Sequence, residues 1–123
     1  MWLAVALGGA LGATARYGLF LWLNPHPAQF PWATFAANVS GCFLAGCLFV
    51  LLNQTLISPA WRPLLAVGFL GAFTTFSTFS LEALLLWQNQ QATIALLYVA
   101  ATFVSCLLAV WLGYLGCQLL FSQ

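Results

Sequence analysis

The sequence predicts an all-α membrane protein with four transmembrane helices, and three observations carry that prediction. Charge is almost absent: of 123 residues two are Lys or Arg and one is Asp or Glu, while 64% are hydrophobic. A soluble domain carries about 25% charged residues. Apolar runs of bilayer length recur four times, near Leu3 to Leu23, Trp32 to Leu52, Arg62 to Trp87 and Thr93 to Phe121; a hydrocarbon layer of ~30 Å takes about 20 helical residues. The connections are short and helix-breaking, so residues 1–123 read as a single transmembrane domain with no soluble insertion.

The first run has the apolar character of a signal peptide, but no Lys or Arg precedes it, Arg16 lies inside it and three further spans follow. It is therefore expected to be retained. Arg16 either snorkels to an interface or contacts a ligand directly. The Pro-rich "NPHPAQFP" ends this span, and His26, flanked by prolines, reads as a solvated loop residue. In the second span Asn38 is either glue between helices or a neutral donor to an anion, a role closed to a carboxylate. "NQTLISPAW" and "QNQQA" separate the remaining spans. Cys42, Cys47, Cys106 and Cys117 all fall inside spans without a CxxC or Cys/His spacing, and read as small apolar packing residues.

Helices in lipid approach closely at small side chains. Gly8 with Gly12, Ala37 with Gly41 and Ala45, and Gly113 with Gly116 supply such steps. They predict tight packing without specifying a stoichiometry. Orientation is weakly determined, because Arg16 lies within a span and Arg62 starts one. Two readings stand: insertion both ways round, which permits an antiparallel homodimer, or one orientation set by Arg62.

The third span holds the most informative stretch, "GFLGAFTTFSTFSLE" from Gly68 to Glu82. Thr74, Thr75, Ser77, Thr78 and Ser80 put five hydroxyls into seven positions among phenylalanines. Hydroxyls satisfy backbone groups freed when a helix breaks inside a membrane, and such a break holds ions on its exposed dipoles. Phe73, Phe76 and Phe79 recur at three-residue steps, which on a continuous helix makes a ridge. Ring edges carry partial positive charge, so a phenyl edge can line an anion path without gripping the ion. Glu82, the sole acid, sits either in a vestibule near the membrane surface or against a donor on another helix.

Three segments together resemble the Fluc (CrcB) family of fluoride channels: "GGALGATARY", "TFAANVSGCFLAG" and "GFLGAFTTFSTFSLE", in that order over four short spans. The resemblance implies a fluoride-selective passive channel that exports cytoplasmic fluoride, built as a dual-topology antiparallel homodimer with two pores and a broken third helix. It also implies a structural sodium ion at the interface, held by main-chain carbonyls of Gly71 and Thr74 from both copies. The implied fluoride pathway comprises Asn38, Phe76, Phe79, the hydroxyls of Ser77 and Thr78, the vestibule Glu82, and Tyr98 with Thr102 on the fourth helix. Cys106 stands where family members place a further small polar residue; either Ser105 substitutes for it or that end of the polar track matters less. Arg16 is assigned to structure or to drawing anions to a mouth. The implied partners are fluoride, sodium, the lipid bilayer and a second copy, with no nucleic acid, in a bacterial inner (plasma) membrane.

No enzyme is expected, since one acid, one His and no nucleophile–base pair offer no hydrolytic chemistry. Two other functions fit a small four-helix chain. A multidrug antiporter needs a carboxylate in its first helix, where this chain has Arg16. A non-transporting accessory protein would use the Phe and Thr stretch for packing alone.

Overall fold

The computed structural model describes residues 1–24 and 29–122. His26 lies outside the described residues. Within them the regular structure is helical: α1 (Trp2–Leu23), α2 (Trp32–Asn53), a short 3-10 turn (Pro59–Trp61), α3 (a π-helical Pro63–Leu70 continued by Gly71–Phe73), α4 (Phe76–Gln88) and α5 (Ala92–Phe121). Taking α3 and α4 as one interrupted span, four helices among the described residues are long and apolar enough to cross a membrane. The chain is thus a multi-pass membrane protein, and the observed limits fall within a few residues of those the hydropathy predicts.

Local chemistry sets each boundary. α1 ends at Asn24, immediately before Pro25, which disfavours helix in the residue preceding it. Pro31 precedes α2, and its carbonyl accepts from Phe35 N at 3.1 Å. Both α2 and α4 stop in the same way. Thr55 (φ 55°) and Gln90 (φ 61°) take the left-handed conformation, and Leu56 N then reaches Leu51 O at 3.0 Å while Gln91 N reaches Leu86 O at 2.9 Å. These are glycine-type helix stops built without glycine, and they satisfy carbonyls that would otherwise face lipid.

Two close helix pairs make the scaffold. α1 lies on α3, and α2 lies on α5. A Cβ added at Gly8 would fall onto the Leu64 carbonyl, and one at Gly12 onto the Phe69 carbonyl, so the predicted glycine step seats α1 on α3 of its own chain. Between α2 and α5, Gly46 meets the Val110 carbonyl and Gly113 the Phe43 carbonyl, whereas nothing lies within 4 Å of Gly116. The Gly113 and Gly116 step is therefore a contact at one residue only. α4 closes the α2–α5 pair, and Phe79, Leu86, Ala95 and Tyr98 form a buried cluster there.

The π-helical turns were not foreseen from the sequence. Their mark is Gly71 N, which donates to Ala66 O five residues back. Another departure concerns Phe73. Extended backbone at Thr74 (φ −89°, ψ 151°) and Thr75 (φ −151°, ψ 119°) separates it from Phe76, so the expected three-ring ridge is divided. Phe73 stacks on Phe69 within α3, with centroids 5.5 Å apart and planes at 16°.

Candidate functional site: a polar and aromatic cavity at the interrupted span

The interruption at Thr74 and Thr75 leaves backbone groups without helical partners, and several of them are met by side chains. Asn38 of α2 does most of this: its Oδ1 accepts from Thr75 N at 2.8 Å and its Nδ2 donates to Thr75 O at 3.1 Å. Thr75 Oγ1 accepts from Thr78 N at 3.2 Å and so caps α4. Arg16 Nε of α1 donates to Ala72 O at 3.1 Å, placing the guanidinium beside the carbonyl end of α3. An unsatisfied backbone group in lipid costs several kcal/mol, so these contacts make the break tolerable.

The same diversions leave oxygens available. The N–H four residues beyond Gly71 belongs to Thr75 and goes to Asn38; the one four residues beyond Thr74 belongs to Thr78 and goes to Thr75 Oγ1. Neither the Gly71 nor the Thr74 carbonyl therefore receives its α-helical donor. Both residues line one open-sided groove of about 740 Å³, together with Gly41, Cys42 and Leu70. A cluster of uncommitted main-chain oxygens suits a hard monovalent cation.

On the other side of Thr74 lies a smaller cavity of about 300 Å³, lined by Asn38, Cys42, Thr74, Thr75, Phe76, Phe79, Thr102, Phe103, Cys106 and Leu107. Two stripes at four-residue spacing meet along α2 and α5: Thr34, Asn38 and Cys42 on the first, Tyr98, Thr102 and Cys106 on the second. Asn38 has one amide hydrogen on Thr75 O, which leaves its second hydrogen as a donor. Thr102 Oγ1 is buried with no hydrogen-bond partner among the described residues, so a polar atom stands at the cavity without an internal ligand.

Three rings form the aromatic wall. Phe76 and Phe79 have centroids 5.5 Å apart, and Phe103 meets Phe76 edge-on at 6.4 Å and 89° and Phe79 at 6.0 Å and 65°. Phe79 is 4% exposed, whereas Phe76 is 68% exposed in the isolated chain. Farther along, the Glu82 carboxylate accepts from Thr34 Oγ1 at 2.7 Å and from Tyr98 OH at 2.8 Å, and Tyr98 is fully buried. Glu82 thus ties α4 to α2 and α5.

Of the residues singled out from the sequence, Asn38, Phe76, Phe79 and Thr102 come together in this cavity, and Thr74 borders both cavities. Ser77 and Thr78 do not line it; Ser77 Oγ pairs with Thr75 Oγ1 at 3.3 Å. Cys106, not Ser105, faces it. Sequence reasoning passed over Thr34, Cys42 and Phe103. The four-residue spacing from Asn38 marks the first two, while nothing in the local sequence marks Phe103.

An apolar four-span bundle with an interrupted third span and a neutral polar cavity beside the break belongs to the class of multi-pass helical membrane proteins. Residues 3–114 match the family model described as CrcB-like protein, Camphor Resistance (CrcB), and the chain belongs to that family. Among curated relatives, a Saccharophagus degradans protein named fluoride-specific ion channel FluC is 50% identical over 111 residues, covering 89% of this chain and 84% of the relative. A protein of the same name from Acidobacterium capsulatum is 48% identical, covering 91% of each chain. One from Shewanella amazonensis is 45% identical over 122 residues, covering 98% of this chain and 96% of its own.

Proposed function

We propose that this chain is a fluoride-selective passive channel and no enzyme, acting as a dual-topology antiparallel homodimer with two pores in a bacterial inner membrane. The observation that carries this reading is the meeting of Asn38, the unpartnered Thr102 hydroxyl, Phe76 and Phe79 in one cavity, in a family whose curated relatives bear the name of fluoride channels. A small anion entering this space exchanges water for neutral donors and ring edges, which bind well enough to admit it and weakly enough to release it. Chloride refusal is assigned to the width of the path and the geometry of its donors.

The wall around the path is fixed by the contacts at the break. Asn38 is held in place by Thr75, so its second amide hydrogen is pre-aimed. Thr34 and Tyr98 hold the Glu82 carboxylate, which fixes the sole acid in place where the pathway opens to its vestibule. This commitment of Glu82 also speaks against a proton-coupled antiporter, whose acid must exchange partners during transport.

The Gly71 and Thr74 carbonyls of two apposed copies are suited to hold sodium, since their α-helical donors are directed elsewhere. A cation held there would supply a fixed positive field near the aromatic wall. Arg16 supports the same region from α1 through Ala72 O.

The test is efflux from liposomes followed with a fluoride electrode. With a potassium ionophore present to balance charge, fluoride is expected to run down its gradient without coupling to protons or a substrate cation, and chloride efflux to stay at the level of empty vesicles. Fluoride flux no greater than that of empty vesicles would remove the proposal. The sodium assignment is tested separately by anomalous scattering from a heavier monovalent cation, with density expected beside Thr74 on the dimer axis.

A further inference from the structure

Cysteine spacing in the sequence suggests no ligand set, but folding pairs the four thiols across a single helix interface. Cys42 of α2 and Cys106 of α5 are neighbours, and so are Cys47 of α2 and Cys117 of α5. All four are free thiols. The interface is held close by backbone contact at Gly46 and Gly113, so each thiol keeps its neighbour within reach. The pairs differ in surroundings. Cys42 and Cys106 both line the 300 Å³ cavity with Asn38, Phe76 and Phe79, whereas Cys47 donates to Gly113 O at 3.4 Å inside the helix interface.

Two thiols lining one cavity, with no carboxylate or imidazole grouped with them among the described residues, are a donor set of one kind. No group of three His, Cys, Asp or Glu able to hold a metal occurs among the described residues, which excludes a tetrahedral zinc-type site. Soft metal ions that accept two thiolates in line need only a pair. From these observations we infer that Cys42 and Cys106 form a binding site for soft, two-coordinate metal cations such as Hg2+, and that occupation of this site blocks ion passage through the adjoining cavity. Each thiol gives up its proton as its sulfur–metal bond forms, so one ion supplied as mercuric chloride releases two protons and two chloride ions. The uncharged dichloride reaches a site in the membrane without carrying net charge across the hydrocarbon. Binding itself does not depend on what the channel conducts; the block rests on the fluoride reading above.

The experiment uses the full chain in two forms. One carries Cys47→Ala and Cys117→Ala and keeps the cavity pair; the other adds Cys42→Ala. Titration of purified protein with mercuric chloride is followed by the near-ultraviolet sulfur–mercury absorption. The first form is expected to take up one ion per chain with a two-sulfur absorption band, and the second to lose that band. An equal band in both forms, or none in the first, would overturn the site. In liposomes, mercuric chloride is expected to cut fluoride efflux of the first form at least tenfold, with recovery on adding an external dithiol, and to change the second form less than twofold. Unchanged efflux from the first form with the ion bound would overturn the block. Absence of fluoride flux before any metal is added would instead count against the channel reading, while the absorption titration still judges the site.

Discussion

Asn38 and Thr75 form a reciprocal pair, the side-chain amide of one matching the backbone N–H and C=O of the other at 2.8 and 3.1 Å. A single residue on α2 therefore takes up the Thr75 N–H that the break leaves without its helical acceptor, adds a donor to the Thr75 carbonyl and leaves one N–H for an anion. Asn38→Asp keeps the acceptor, loses the donor and adds negative charge at bilayer depth. Fluoride efflux is expected to fall at least tenfold. Asn38→Ala strands the Thr75 N–H, at about 1–3 kcal/mol, and is expected to lower the melting temperature measurably in detergent. A melting temperature unchanged by Asn38→Ala would mean that the pair does not hold the break.

Phe76 and Phe79 separate a transport effect from a packing effect. Replacing either with Ile removes a ring edge, and fluoride flux is expected to disappear while the elution volume on sizing stays that of the unaltered protein. Phe79 is 4% exposed and Phe76 68% exposed, so only Phe79→Ile alters a filled core, at about 1–3 kcal/mol. Normal flux through both variants would refute the role of the rings.

Tyr98→Phe deletes one of two donors to Glu82 and leaves the ring in place. Glu82 is half-buried, and a carboxylate that loses a hydrogen bond is destabilised by about 1–3 kcal/mol. Thermal melting should register that loss, and the double variant Tyr98→Phe with Glu82→Gln should recover part of it. No recovery would show that the phenol and the carboxylate are not coupled.

The two glycines near the end of α5 make a control within one helix. Gly113→Ala drives a methyl group into the Phe43 carbonyl and has to spread α2 from α5, whereas Gly116→Ala meets open space. Overpacking of this kind costs about 1–3 kcal/mol. Folded yield and melting temperature are expected to drop for the first and stay unchanged for the second.

Much of the architecture was legible because hydropathy and length dictate spans wherever lipid is the solvent, and proline and polar tracts mark their ends. The break was legible at Thr74 and Thr75 from the crowd of hydroxyls. The identity of the partners was not. Arg16 and Ala72 lie 56 residues apart, Thr34 and Glu82 48 apart, and no local pattern encodes such meetings. The four-residue stripe of Thr34, Asn38 and Cys42 was readable in principle, but its counterpart on α5 acquires meaning only once the two helices lie together. Thiol pairing was hidden for the same reason: spacing rules for cysteine describe ligands along a chain, and these thiols meet across helices.

The interruption at Thr74 and Thr75 also sets angular phase. In an unbroken rod, the direction of each ring on α4 would be inherited from α3 at a fixed rotation per residue. Two extended residues cut that inheritance, and the clasp on α2 takes over as the reference. The orientation of the phenyl wall is accordingly set by the clamp from α2 and not by the wound turns of Pro63–Leu70.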